Sequence, residues 1–103
     1  MNWTLKENRR LIESLLALET PDEVRRFLRD LMTEGEITEF AKRFQTAELL
    51  SKHVPYTEIE KKTGFSSTTV ARVSKWLQEG EGGYKMMMHK LHHPASRARR
   101  GLS

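Results

Sequence analysis

The chain is expected to be all-α. Apolar residues recur at three- and four-residue spacing through most of its 103 residues, and helix-start signals stand before several of these runs. No alternating strand pattern and no internal repeat occurs.

The first helix-compatible stretch runs from about Thr4 to Leu18, with Leu5, Ile12, Leu15, Leu16 and Leu18 among charged neighbours. Thr20-Pro21-Asp22-Glu23 restarts the chain. Thr20 is placed to cap, Pro21 suits the first helical position, and Glu23 completes a capping box. Val24, Phe27, Leu28 and Leu31 then form an i, i+3, i+4, i+7 stripe. Thr33-Glu34-Gly35 reads as a break. A third helix is expected over about Glu36 to Ser51, with Ile37, Phe40, Ala41, Phe44, Ala47, Leu49 and Leu50 apolar. Val54-Pro55 should end it, because the residue before proline is pushed out of helical geometry.

The stretch from Tyr56 to Leu77 carries the most information. Thr57 followed by Glu60 predicts a capping box on a short helix whose inward anchor is Ile59. Gly64 stands where that helix must stop and turn, a position that often needs left-handed backbone. Phe65 is expected to pack across the corner, and Ser66 to cap a second helix. At about 100° per residue, Val70, Val73 and Leu77 form one apolar stripe. Thr68, Ala71, Arg72 and Lys75 cluster on nearly the opposite side. This is a helix-turn-helix pattern. Its outward face offers the hydrogen-bonding, methyl and cationic groups that a helix needs to read a major groove.

After Leu77, Glu79-Gly80-Glu81-Gly82-Gly83 reads as a flexible break, and Tyr84 to Leu91 as a short terminal helix. At least one of Met86, Met87 and Met88 should face solvent or a partner, since consecutive residues point in different directions. The domain is thus assigned to residues 1–91, with the helix-turn-helix at 56–77. Residues 92–103, with Pro94, Ser96, Gly101 and three arginines, are read as a disordered basic tail.

The net charge is +4, but it is unevenly placed. Residues 1–84 carry 13 Lys/Arg and 14 Asp/Glu, a balance of −1, whereas residues 85–103 carry five basic residues and no acid. Residues 61–78 hold Lys61, Lys62, Arg72 and Lys75 and no acidic residue. Phosphate attraction is the natural use of that pattern. The absence of cysteine excludes disulfides, cysteine zinc sites and thiol nucleophiles. No apolar run approaches a membrane span or a signal core, so a cytoplasmic location is expected.

Catalysis is not expected. Gly80-Glu81-Gly82-Gly83 lacks the preceding strand and following Lys-Ser/Thr of a Walker loop, and no nucleophile–base order stands out. His89 and His93 have i, i+4 spacing, but a zinc site needs a third ligand and an ordered scaffold, so neither metal nor cofactor is expected.

Several pieces together resemble the Trp repressor family, most closely its YerC/YecD-type branch. They are Glu19-Thr-Pro-Asp-Glu23, Ile37-Thr-Glu-Phe-Ala-Lys-Arg-Phe44, Leu49-Leu50, Tyr56-Thr-Glu-Ile59, Thr63-Gly-Phe-Ser-Ser-Thr-Thr-Val-Ala-Arg-Val73 and Gly80-Glu-Gly-Gly-Tyr84. Their order and spacing cover roughly residues 12–91. The resemblance implies a TrpR-like helical bundle, an intertwined homodimer and two reading heads on a roughly palindromic operator in double-stranded DNA. The low hydrophobic fraction of 37% agrees with a core shared between two chains.

Carried over by resemblance, the base-reading positions are Ser67, Thr68, Thr69, Ala71 and Arg72. Tyr56, Thr57 and Lys61 are better placed for phosphates or flanking bases, and Lys75 belongs to the same basic face. Arg72 stands out, because a guanidinium can bridge two guanine acceptors or grip a phosphate. Ser66 and Ser67 compete for cap roles. Two departures matter. Glu60 occupies a site that is commonly alanine, so it must lean outward and would repel phosphate. In Trp repressors the tryptophan ring lies against a glycine just after the arginine matching Arg72. Here that glycine is Val73, the small residue three further on is Trp76, and Lys42 replaces a stacking arginine. The expected activity is therefore repression by occupying a promoter, without tryptophan as corepressor. The rival reading is a helix-turn-helix module that docks to proteins without specific DNA binding.

Overall fold

The computed structural model describes residues 1–93; of the expected tail at 92–103, His92 is instead the last residue of a helix, and residues 94–103 lie outside the described residues. Its six helices are α1 (Lys6–Leu16), α2 (Pro21–Leu31), α3 (Glu34–Ser51), α4 (Tyr56–Thr63), α5 (Ser67–Glu79) and α6 (Gly83–His92). The described residues contain no strand, as the periodicity predicts. Two compact units separate, one spanning Met1–Ile37 and the other starting at Thr38.

In the first unit α1 is shorter than the expected Thr4–Leu18. The side chain of Asn2 accepts from both the Thr4 amide (2.9 Å) and the Thr4 hydroxyl (2.6 Å), which holds the preceding residues in a turn. At α2 the cap forms: Thr20 Oγ1 accepts from the Glu23 amide at 3.1 Å. The Glu23 carboxylate reaches the Glu19 amide (2.9 Å), one residue further back than a capping box requires.

The break at Thr33-Glu34-Gly35 is itself a helix start, two residues earlier than expected. Thr33 Oγ1 accepts from the Glu36 amide (3.1 Å), and the Glu36 carboxylate accepts from the Thr33 amide (2.9 Å), which makes a reciprocal box. The bond from the Thr33 amide, helped by the Thr33 hydroxyl, holds the Glu36 carboxyl below its ordinary value. Gly35 is consequently helical. Neither α1 nor α2 has a buried residue.

In the second unit α3 stops at Ser51, before Pro55 can act. His53 adopts φ 61, and the Val54 amide donates to the Leu49 carbonyl at 3.1 Å. The core comprises Ala47, Ile59, Val70 and Val73, all wholly buried, with Leu77 and Met88 nearly so. Thr46 and Thr63 are also buried, and each hydroxyl donates to the carbonyl one turn back, Lys42 or Ile59, at 2.8 Å. Met86 and Met87 are exposed while Met88 is buried, as expected for consecutive helical residues.

The corner between α4 and α5 takes the expected form. Gly64 has φ 78, and its amide donates to the Glu60 carbonyl at 2.8 Å. Nothing lies within 4 Å of the place a Cβ would occupy, so the requirement for glycine is one of backbone conformation alone. Gly64→Ala should therefore destabilise the protein by about 1–2 kcal/mol. The check is the urea-unfolding midpoint at constant slope; an unchanged midpoint would mean the corner tolerates another path.

Candidate nucleic-acid interface

The second helix of the helix-turn-helix, α5, is positioned from its start. Ser66 caps α5, its hydroxyl accepting from the Thr69 amide at 3.2 Å and lying 3.1 Å from Thr69 Oγ1. Val70, Val73 and Leu77 then point into the core. That phase leaves Ser67, Thr68, Ala71, Arg72 and Lys75 exposed on the remaining surface. Thr69 is half-buried and tied to the cap, so its hydroxyl is already engaged.

On α4 the expected capping box does not form. Pro55 is the N-cap, and its carbonyl accepts from the Glu58 and Ile59 amides at 3.0 and 3.1 Å. Thr57 is therefore inside the helix rather than before it. Tyr56, Thr57 and Lys61 are all exposed, so the side chains assigned to phosphate contact are accessible. Glu60 is half-buried.

Thr68, Ala71, Arg72 and Lys75 line one open concavity of about 650 Å³ together with Trp76 and Glu79. No salt bridge occupies Lys61, Arg72 or Lys75 among the described residues. Cations without a partner carboxylate on an open helix face are suited to bind phosphate or guanine.

Two residues at this surface escaped the sequence reading. Trp76 is 38% exposed and borders the concavity. The Arg43 guanidinium carbon lies 5.1 Å from the Trp76 ring centre and 5.1 Å from that of Phe40. The Phe40–Arg43 spacing was visible in the sequence; the partner on α5 was not. Phe44 and Tyr84 rings lie 6.2 Å apart, tilted by 32°. Burial pushes the Tyr84 phenol above its ordinary 10.0, and the Arg43 charge pulls part of that back.

At the end of α6 the His89 and His93 rings lie 4.1 Å apart, and His92 Nε2 is 3.8 Å from the Glu48 carboxylate. No group of three potential metal ligands forms among the described residues. No helix among them is long and apolar enough to cross a membrane.

The family model for the Trp repressor protein matches residues 6–92. The chain belongs to the Trp repressor family. It is 36% identical over 86 residues to the uncharacterized protein YerC of Bacillus subtilis strain 168, covering 84% of this chain and 83% of that one. Its structure resembles a crystallographically solved TrpR-like protein of Eubacterium eligens, with TM-score 0.84 and 32% identity over 88% of this chain and 94% of that one. A candidate Trp repressor from Staphylococcus aureus gives TM-score 0.77 and 32% identity, over 82% and 84% of the two chains. The Trp repressor family is one of helix-turn-helix DNA-binding regulators, and its fold is not that of an enzyme.

The raised phenol makes one prediction for this Trp repressor-like protein. In the unfolded chain Tyr84 ionises near its ordinary value, while in the folded chain it ionises later. The unfolded state therefore binds fewer protons between the two values. This contribution is complete below about pH 10 and is lost as pH rises through the folded value. Tyr84→Phe should make urea-unfolding stability fall less steeply above about pH 10 than in the wild type. Parallel profiles would remove Tyr84 as the cause.

Proposed function

We propose that this protein is a dimeric, cytoplasmic, sequence-specific transcriptional repressor that occupies a roughly palindromic operator without tryptophan as corepressor. The observation that carries this reading is the division of α5 into two faces. Val70, Val73 and Leu77 are buried on one side, while Thr68, Ala71, Arg72 and Lys75 share an open concavity on the other. Arg72 is assigned to a guanine or a phosphate. Ala71 and the Thr68 methyl suit thymine methyls, and Lys75 and Lys61 suit phosphates. Ser66, Thr69 and Ser67 contribute mainly through the helix start, and Tyr56 and Thr57 flank the reading helix on α4.

The independence from tryptophan is supported by Val73, which is wholly buried at the position where the family's ligand ring meets glycine. Trp76 adds a second bulky side chain one turn further on. Genomic-fragment selection at about 150 mM salt, with and without added L-tryptophan, tests both statements at once, in the salt range where nonspecific binding is weak. A shared palindrome enriched equally in both arms is expected. Enrichment only with tryptophan would overturn the corepressor statement, and no motif would favour the protein-docking alternative. On the selected operator, Arg72→Ala should cost about 1–3 kcal/mol if it reads a base.

The dimer is supported by the first unit. Leu11, Ile12, Leu15 and Leu16 of α1 are 40, 40, 45 and 66% exposed, an apolar surface that a second copy would cover. The Leu15→Glu variant should sediment as a monomer and lose operator binding. A wild type that is monomeric at micromolar concentration would overturn this part.

A further inference from the structure

Arg43 lies on α3, outside the helix-turn-helix, yet its guanidinium carbon lies over the Trp76 ring of α5 at 5.1 Å. It also lies over the Phe40 ring at 5.1 Å, and its Nη2 is 3.0 Å from Glu39 Oε2, one turn back on α3. The side chain is one-third exposed, which screens these contacts less than on an open surface. The helices packed most closely on α5 are α4 and α6. The Arg43–Trp76 contact is thus a side-chain link from α3 to the reading helix. Trp76 in turn is one turn beyond Arg72, next to Lys75, and borders the same concavity.

We propose that Arg43 is a positioning residue for DNA reading: oriented by Glu39 and Phe40, it holds the Trp76 indole and thereby fixes the rotation of α5 that aims Arg72 and Lys75. The proposal rests on the DNA-reading function proposed above. The apolar stripe decides which face of α5 is buried, and its last member, Leu77, is slightly less buried (9% exposed) than Val70 and Val73. A flat ring gripped at this end resists rolling where the stripe runs out. A guanidinium suits the task because its plane lies on a ring while its edge donates to a carboxylate; an ammonium has no such plane. Since Glu39 balances its charge, Arg43 is not a free cation for phosphate. That distinguishes positioning from direct DNA contact.

The test uses full-length protein, the selected operator and a random duplex. Arg43→Met should weaken operator binding about tenfold while leaving random-duplex affinity and the salt slope of binding unchanged, because no phosphate contact is lost. Arg43→Lys, which keeps the charge, should not rescue it. On a Trp76→Ala background the Arg43→Met effect should vanish. In a Trp3→Phe background, where Trp76 is the sole indole, its emission should shift on Arg43→Met. Equal losses on operator and random duplex, a smaller salt slope, or an Arg43→Met effect undiminished by Trp76→Ala would each overturn the proposal. So would wild-type operator affinity in both Arg43 variants. If the wild type selects no operator, the reading function fails as well, and the proposal with it.

Discussion

The reading unit depends on the left-handed corner at Gly64. Four hydrogen bonds converge there. The Gly64 amide closes α4 onto Glu60, Thr63 Oγ1 donates to Ile59 and accepts from the Phe65 amide, and Ser66 takes up the Thr69 amide at the start of α5. Only three residues separate the two helices, and their backbone conformations leave α5 little choice of phase. That phase decides function. A helix turns about 100° per residue, so a corner one residue longer would carry Arg72 toward the core and Val73 toward solvent. On the proposed function, the corner therefore sets which side chains can meet DNA before any of them makes a contact.

The same economy governs stability. In the second unit a handful of apolar side chains, centred on Ile59, Val70 and Val73, form the core, and two threonines complete it by returning their hydroxyls to their own helices. In the first unit, α1 and α2 bury nothing on their own. Helices with apolar stripes and no fully buried residue gain little from folding alone, since most helical stability comes from packing. Such an arrangement makes sense if folding of the first unit and association of two chains are one event, as the dimer proposal requires. The stripes on α1 and α2 would then serve the partner.

Much of this was legible in the residues, and the failures are informative. Beyond α1, three segments carry the same Thr-x-x-Glu pattern: Thr20–Glu23, Thr33–Glu36 and Thr57–Glu60. The threonine caps the helix in the first two and not in the third. The pattern is identical; the residues before it differ. Pro55 has φ −61 and presents its carbonyl to the Glu58 and Ile59 amides, so α4 has begun before Thr57 is reached. At Thr33 the opposite happened, because Gly35 looked like a breaker while the reciprocal box was strong enough to carry it into the helix. The left-handed residue ending α3 is His53, where composition offers no glycine to announce it. The α5 phase was read correctly because buried β-branched residues and exposed Arg72 and Lys75 leave one solution. The Arg43–Trp76 contact was not readable, because it joins side chains on two helices far apart in sequence.

The charge of residues 1–84 taken alone suits DNA binding poorly, and that bears on how specificity arises. Residues 1–84 carry a balance of −1, and Glu79 stands at the border of the concavity that holds Arg72 and Lys75. A carboxylate there repels any phosphate that approaches the C-terminal end of α5, while the first turns of the helix remain free of acid. Within residues 1–84 attraction is therefore local rather than spread over the body. On the proposed function, affinity must then come from side chains that meet base edges in register, and register is a property of helix aim. A small rotation of α5 that a strongly basic protein would tolerate would here cost recognition itself. Recognition then rests on the groups that hold the helix, namely the Gly64 corner at one end and the Arg43–Trp76 contact at the other.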